Sequence, residues 1–329
     1  MLTAVREAVP GIAALCVGAV LVRRLSSLVG VNETLLAIGV GVFLTNTVGV
    51  PERLQSGVAT HGRWLAAGIV LLGASLTIGA ILEIGKIILL LVAVFVTGTV
   101  LVVELLGRHV AGLSDRLGSM LAAGAGVCGV SAVVAVGGAV RAREVDIAYA
   151  ASVVLLLDAI SLVVYPAVGS LLDLPATVFG VWAGVSMLST GPVVAVGFAH
   201  SEVAGQWATM TKLARNALIG VVAVGYAGYY ARRDAEGSAS LRMIWETFPT
   251  FVLGFLAFVV VASVGLLSPT LLRSIGTAVD WLFLLAFLGL GTEIRFDQLR
   301  RTGATPALVV FASVAGVSGL SLVVISAVL

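Results

Sequence analysis

The stretch from Gly124 to Gly137, Gly-Ala-Gly-Val-Cys-Gly-Val-Ser-Ala-Val-Val-Ala-Val-Gly, most constrains what this chain can become. It is apolar enough to lie in a bilayer, yet Gly124, Gly126 and Gly129 crowd its first half. Each costs a regular helix roughly 1 kcal/mol relative to alanine. Irregular backbone at membrane depth is tolerated only where protein buries it or where it lines a wet cavity. Broken helices of this kind present bare N–H and C=O groups near the midplane, where transporters hold ions and small anions. Small residues also let neighbouring helices pack closely, and glycines alone fit that reading too.

A second copy adds weight to the first reading. Sixty positions on, residues 183–197 read Ala-Gly-Val-Ser-Met-Leu-Ser-Thr-Gly-Pro-Val-Val-Ala-Val-Gly. With Gly184 laid on Gly124, Val193 to Gly197 repeat Val133 to Gly137. Both copies put breakers first and a clean Val/Ala helix second. Paired interruptions at corresponding places point to a transport site.

The rest of the chain agrees with a membrane setting. It is 60% hydrophobic and 11% charged over 329 residues, with a mean hydropathy of +1.14, against about 25% charged for soluble domains. The expected fold is an all-α integral membrane protein of the secondary-transporter type. Counting about 20 apolar residues per span gives about eleven candidates: 9–29, 33–50, 64–82, 85–107, 117–140, 146–170, 176–199, 212–230, 246–266, 271–292 and 304–328. The longest connections, 51–63, 200–211 and 231–245, are too short for a soluble domain, so residues 1–329 read as one membrane domain. Basic residues lean toward a cytoplasmic N-terminus, with Arg108 and Arg116 on that side and Arg141 and Arg143 opposite. A re-entrant hairpin at either interruption would invert the assignment downstream of it. A further echo, Leu71–Ile78 against Phe287–Ile294, joins the third and tenth spans in opposite directions, as an inverted repeat requires.

Few residues at membrane depth carry chemistry. Asp158, inside Val153–Ile160, costs about 2.5–3.5 kcal/mol to insert. It reads either as an ion-coupling residue that takes a proton or cation, or as a protonated acid bonded to a neighbouring helix. Glu83 and Glu104 lie near span ends, where snorkelling suffices. Lys212 and Arg215 stand three apart at the opening of the eighth span and face the same way. They read either as ligands of a divalent oxyanion or as interfacial anchors. Ser131, Ser186, Ser189 and Thr190 offer hydroxyls beside the breaks, although such hydroxyls more often bond their own backbone. Pro166 and Pro249 read as helix boundaries or kinks. His61, His109 and His200 are scattered without metal-ligand spacing, and Cys16 and Cys128 both lie in apolar segments. No metal, cofactor or nucleic-acid partner is expected, and no Ser/His, Cys/His or Asp/Asp arrangement marks an enzyme.

These residues resemble the YeiH family, described as sulfate exporters. The frame A-G-x-x-x-C-G-x-S-A around Cys128, Gly129 and Ser131 carries the likeness. In order along the chain it is joined by Tyr149-Ala150, Tyr165-Pro166, Phe179-Gly180-Val181-Trp182-Ala183-Gly184 and Lys212-Leu213-Ala214-Arg215. Phe251–Phe255 and Leu288–Leu290 complete it, so that it covers about 35–320. The resemblance implies a secondary transporter related to cation:proton antiporters and anion transporters, with broken helices around a midplane site. After Trp-Ala-Gly the chain departs from the family. Leu188, Ser189 and Pro192 stand where that pattern has a His, an acid and a Gln, while Asp158 stands where it has a neutral residue. Charge moved from the seventh span to the sixth would explain both departures, as would altered or lost coupling.

The resulting expectation is a multi-pass protein of the inner or plasma membrane exporting sulfate, sulfite or an organosulfonate, coupled to a proton or sodium ion. Its site would comprise Gly124, Gly126, Cys128, Gly129, Ser131, Ser186, Ser189, Thr190, Lys212 and Arg215 around the substrate, with Asp158 as the coupling group. The bilayer is its surroundings, and a homo-oligomer is compatible with the sequence. The alternatives are a cation:proton antiporter centred on Asp158, or a non-transporting receptor or scaffold.

Overall fold

The computed structural model describes residues 2–76, 78–234, 248–297 and 304–329. Among them it is helical with no strand. In chain order the helices are α1 (Leu2–Val29), α2 (Glu33–Thr47), α3 (Glu52–Val58), α4 (His61–Leu72), α5 (Ile78–Leu105), α6 (Asp115–Ala123), α7 (Val130–Ala139), α8 (Glu144–Leu171), α9 (Ala176–Ser186), α10 (Thr190–His200), α11 (Glu202–Asn216) and α12 (Ile219–Asp234). Three more follow: Thr250–Ser263, Pro269–Glu293 and Ala304–Val328. Among the described residues five helical stretches are long and apolar enough to cross a bilayer: Glu7–Val29, Gly85–Val110, Glu144–Leu171, Pro269–Glu293 and Pro306–Val328. Several of the other expected spans are divided into shorter apolar helices, among them Glu33–Thr47, Val130–Ala139 and Ala176–Ser186. Where the sequence reading takes one domain, the backbone groups into two compact units, residues 1–85 with 250–296 and residues 86–249 with 297–329.

In the first unit small residues set the crossings. Gly11 of α1 lies on Gly57 of α3, and Gly41 of α2 lies on Gly291 of the Pro269–Glu293 helix. Such contacts let backbones approach where lipid supplies no hydrophobic drive. α4 runs antiparallel to Pro269–Glu293: Gly68 meets Phe283, and His61 meets Gly289 and pairs with Glu293 at 3.3 Å. The two echo segments, Leu71–Ile78 and Phe287–Ile294, thus extend from oppositely directed helices. The expected 64–82 span is broken. A 3-10 turn over Gly73–Ser75 ends in an extended Leu76, and Ser263 Oγ accepts the Ile78 N–H at 2.8 Å. α5 then continues through the loop expected near Glu83, whose side chain lies outside the described residues.

The second unit answers what the interruptions are. α6 ends in a π-helical turn, Gly124–Cys128, and α7 turns back alongside it. Gly137 packs on Met120, and Gly124 on Val133, so the chain returns toward where it entered. Likewise α10 folds back on α9, and Phe179 near the start of α9 stacks on His200 at the end of α10 with ring centroids 4.1 Å apart. Both interrupted segments are hairpins, so 117–140 and 176–199, the fifth and seventh candidates, are not full spans.

α8 shows where the hairpins point. Gly137, at the base of the first hairpin, packs on Ile147 near one end of α8. Phe179, at the base of the second, packs on Gly169 near the other. At 1.5 Å per residue those two levels are about 33 Å apart, close to the thickness of the hydrocarbon core. The hairpins therefore enter from opposite sides, and each half-length helix brings its tip to mid-depth. α8 passes through Pro166 unbroken, so that proline does not mark a boundary, whereas Pro249 directly precedes the Thr250–Ser263 helix. α11 follows the second hairpin, with Ala204 on Gly180 and Thr211 on Gly184. A single i→i−3 step, Leu218 N–H to Arg215 C=O, leads into α12, which reaches the base of the first hairpin through Tyr230 and Ser119.

Candidate functional site

The two hairpin tips meet at Gly129 and Ser189, which are themselves sixty residues apart in the chain. Gly129 has φ +69° and ψ −133°, a conformation that only glycine adopts readily. A β-carbon there would overlap Ser189 Oγ. The position needs glycine for both reasons.

Each tip exposes the ends of two half-helices. A helix leaves its last carbonyls and first amides without partners inside it. Here the orphan carbonyls of both first halves converge on two side chains of α11. Lys212 Nζ donates to Val127 O and Met187 O, each at 3.0 Å, and to Leu188 O. Arg215 donates through Nε and Nη2 to Gly126 O and Ala125 O at 2.9–3.2 Å, and through Nη1 to Gly184 O, Val185 O and Met187 O at 2.5–3.0 Å. Lys212 is 0% exposed and Arg215 1%. The two cations sit at the negative ends of the helix dipoles and pin both hairpins to α11. From the sequence alone they are expected at the opening of the eighth span. In fact they lie in the last turn and a half of a separate buried helix, far from an interfacial anchor's position.

The amide ends face different partners. Asp158, buried midway along α8, accepts the Ser189 N–H on Oδ1 at 3.0 Å and so places a carboxylate at the N-terminus of α10. Pro192 in the first turn has no N–H to offer. The first-turn amides of Thr190 and Gly191 in α10, and of Val130 and Ser131 in α7, have no carbonyl of their own helix in reach. Ser189 Oγ is buried with no hydrogen-bond partner among the described residues. Thr190 Oγ1 accepts from Asn216 Nδ2 at 3.0 Å.

The other expected residues divide. Gly124 and Gly126 serve close packing, against Val133 and Val154 and against Val100 respectively, and Gly126 also supplies a carbonyl to Arg215. Cys128 is buried in the π turn, whereas Ser131 is exposed. Ser186 turns away from the junction: it donates to Trp182 O at 2.6 Å and accepts from Tyr165 OH at 2.8 Å. Tyr165 stacks on Trp182 at 4.3 Å, and the Trp182 indole N–H reaches Ser318 O at 2.9 Å. Sequence reasoning gave Tyr165, Trp182 and Asn216 no role in the site. The available signal was that a buried Tyr or Trp needs a partner for its polar end.

A second polar group closes the base of the first hairpin. Glu104 pairs with Arg108 and accepts from Ser119 Oγ at 2.7 Å. Tyr230 lies 3.1 Å from Ser119 Oγ, and Arg108 lies 3.6 Å from Asp115. Glu104 is a hairpin anchor here instead of a snorkelling carboxylate.

An all-helical chain with full-length apolar helices and paired hairpins meeting at a buried charged junction defines a multi-pass integral membrane protein. A family model described as Conserved hypothetical protein 698 matches residues 10–310, and the chain belongs to that family. A UPF0324 membrane protein of Nitratidesulfovibrio vulgaris is 34% identical, with 96% of this chain and 91% of that one aligned. A UPF0324 membrane protein of Clostridium tetani is 29% identical, with 84% of each chain aligned. Another, of Bacillus cereus, is 29% identical over 83% of this chain and 80% of that one. No solved structure matches.

Proposed function

We propose that the protein is a secondary transporter of a small oxyanion, with the hairpin junction as its substrate site and Asp158 as the coupling group. One observation carries this reading: the carbonyl ends at the junction are already held by Lys212 and Arg215, which leaves donors facing it alongside the Asp158 carboxylate and the Asn216 amide oxygen. These donors are the first-turn amides of α7 and α10 and the Ser189 hydroxyl. Bare amides at a helix N-terminus favour an anion. Two buried cations against one carboxylate add positive potential, while Lys212 and Arg215 act through their field and not by contact. Asp158 then behaves as an internal anion at the α10 terminus. Protonation would weaken its hold on Ser189 N–H and free that terminus for substrate. Sulfate, sulfite and organosulfonates are the substrates suggested by the resemblance to sulfate exporters.

The first experiment is uptake of labelled sulfate and sulfite into proteoliposomes, with and without an imposed pH gradient, for wild type and Asp158→Asn. Asn still offers an oxygen to Ser189 N–H, so the hairpins should stay in place. Gradient-driven flux in wild type that loses its pH response in the variant supports the reading. Absence of flux of either anion under every gradient sinks it. The buried midspan acid also favours cation:proton exchange. That reading predicts sodium flux in wild type and none in Asp158→Asn.

A further inference from the structure

Lys212 sits among main-chain carbonyl oxygens from both hairpins. Its ammonium group is fully buried and meets three main-chain carbonyl oxygens, Val127 O of one hairpin and Met187 O and Leu188 O of the other. Three donors face three acceptors, so the group is saturated. Carbonyls at half-helix C-termini are the ligands that coordinate alkali cations in transporters with interrupted helices. We propose that the Lys212 ammonium is a built-in monovalent cation: it fills a carbonyl cage formed by both hairpin tips, and removing it creates an alkali-cation site.

The geometry gives two reasons. The carbonyls come from two separate hairpins, so without a cation between them their dipoles repel across the junction. Arg215 cannot take over, because its own donors are engaged by Ala125, Gly126, Gly184, Val185 and Met187. An ion carried on the chain is always present. The tips of the wild-type protein should therefore stay closed whatever salt surrounds it, and coupling should not draw on an alkali cation at this point. This last consequence rests on the reading of the junction as a transport site.

The test is thermal unfolding of the purified full-length protein in detergent, in NaCl, LiCl, KCl or choline chloride at matched ionic strength. Wild type should unfold at the same temperature in all four. Lys212→Ala should unfold at a lower temperature in choline and recover by about 5 °C at saturation in one or more alkali salts. Lys212→Met, whose stem fills the cage without a charge, should stay low in every salt. If Lys212→Ala is recovered as monodisperse protein in sodium but not in choline, that counts as the same rescue. The proposal is overturned if wild type is stabilised by an alkali cation over choline. It is equally overturned if Lys212→Ala is indifferent to the cation, or is unrecoverable in every salt. Because the readout is stability, failure here would leave anion flux untouched, and failure of flux would leave the rescue untouched.

Discussion

Ser189 separates contact from support most cleanly at the level of single residues. Its backbone N–H, not its hydroxyl, holds Asp158, and the hydroxyl has no protein partner among the described residues. Ser189→Ala should leave stability within about 0.5 kcal/mol. If the hydroxyl binds substrate, KM for the transported anion should rise about tenfold, or about 1.4 kcal/mol. An unchanged KM would remove Ser189 from the site. Arg215 should behave in the opposite way. Arg215→Ala strands buried carbonyls and should destabilise the fold by about 3–5 kcal/mol. Arg215→Lys offers fewer donors and loses the planar fork, so it should fall between the two. Thermal unfolding of both variants checks the order, and a wild-type melting temperature for Arg215→Ala would refute the clamp.

The hairpin is the decisive device among the elements. A hydropathy window sees residues 117–140 as one apolar run because the turn at Gly129 is made of small apolar residues. What divides the run is the glycine-only conformation at Gly129, together with the π turn whose carbonyls need Lys212 and Arg215. Labelling of single cysteines tests this, with Cys16 and Cys128 replaced. Cysteines at 114 and 142 should react from one face of the membrane, and cysteines at 173 and 201 from the other. If 114 and 142 label from opposite faces, α6 and α7 form a span and not a hairpin.

Across the whole molecule, the same folding regroups the charges. Arg108, Arg116, Arg141 and Arg143 now gather at the base of the first hairpin, while Asp173 and Glu202 lie at the base of the second. With 117–140 counted as a span, the same arginines divide between two faces. With the hairpin in place, the positive-inside tendency predicts that positions 114 and 142 should lie on the cytoplasmic side. Reagents that cannot cross the membrane should reach 173 and 201 from outside in intact cells. The five long apolar helices and the exposed aliphatic residues, among them Leu90, Leu101, Val163 and Val323, are what a lipid-facing exterior requires.

Composition and local pattern alone determined the membrane class, the interruptions near 124–131 and 184–192, their sixty-residue correspondence, and the singularity of Asp158. Each is a local property: apolar length, glycine cost, or an acid at a depth where ions are expensive. The tertiary structure alone decided that the interrupted segments double back, that they enter from opposite faces, and that Lys212 and Arg215 belong between their tips. Residues 200–211 read as a connection because they are polar, and Lys212 and Arg215 read as the opening of the next span. Those two side chains face orphan carbonyls contributed by segments 24 to 90 positions away, and no sequence window spans that distance.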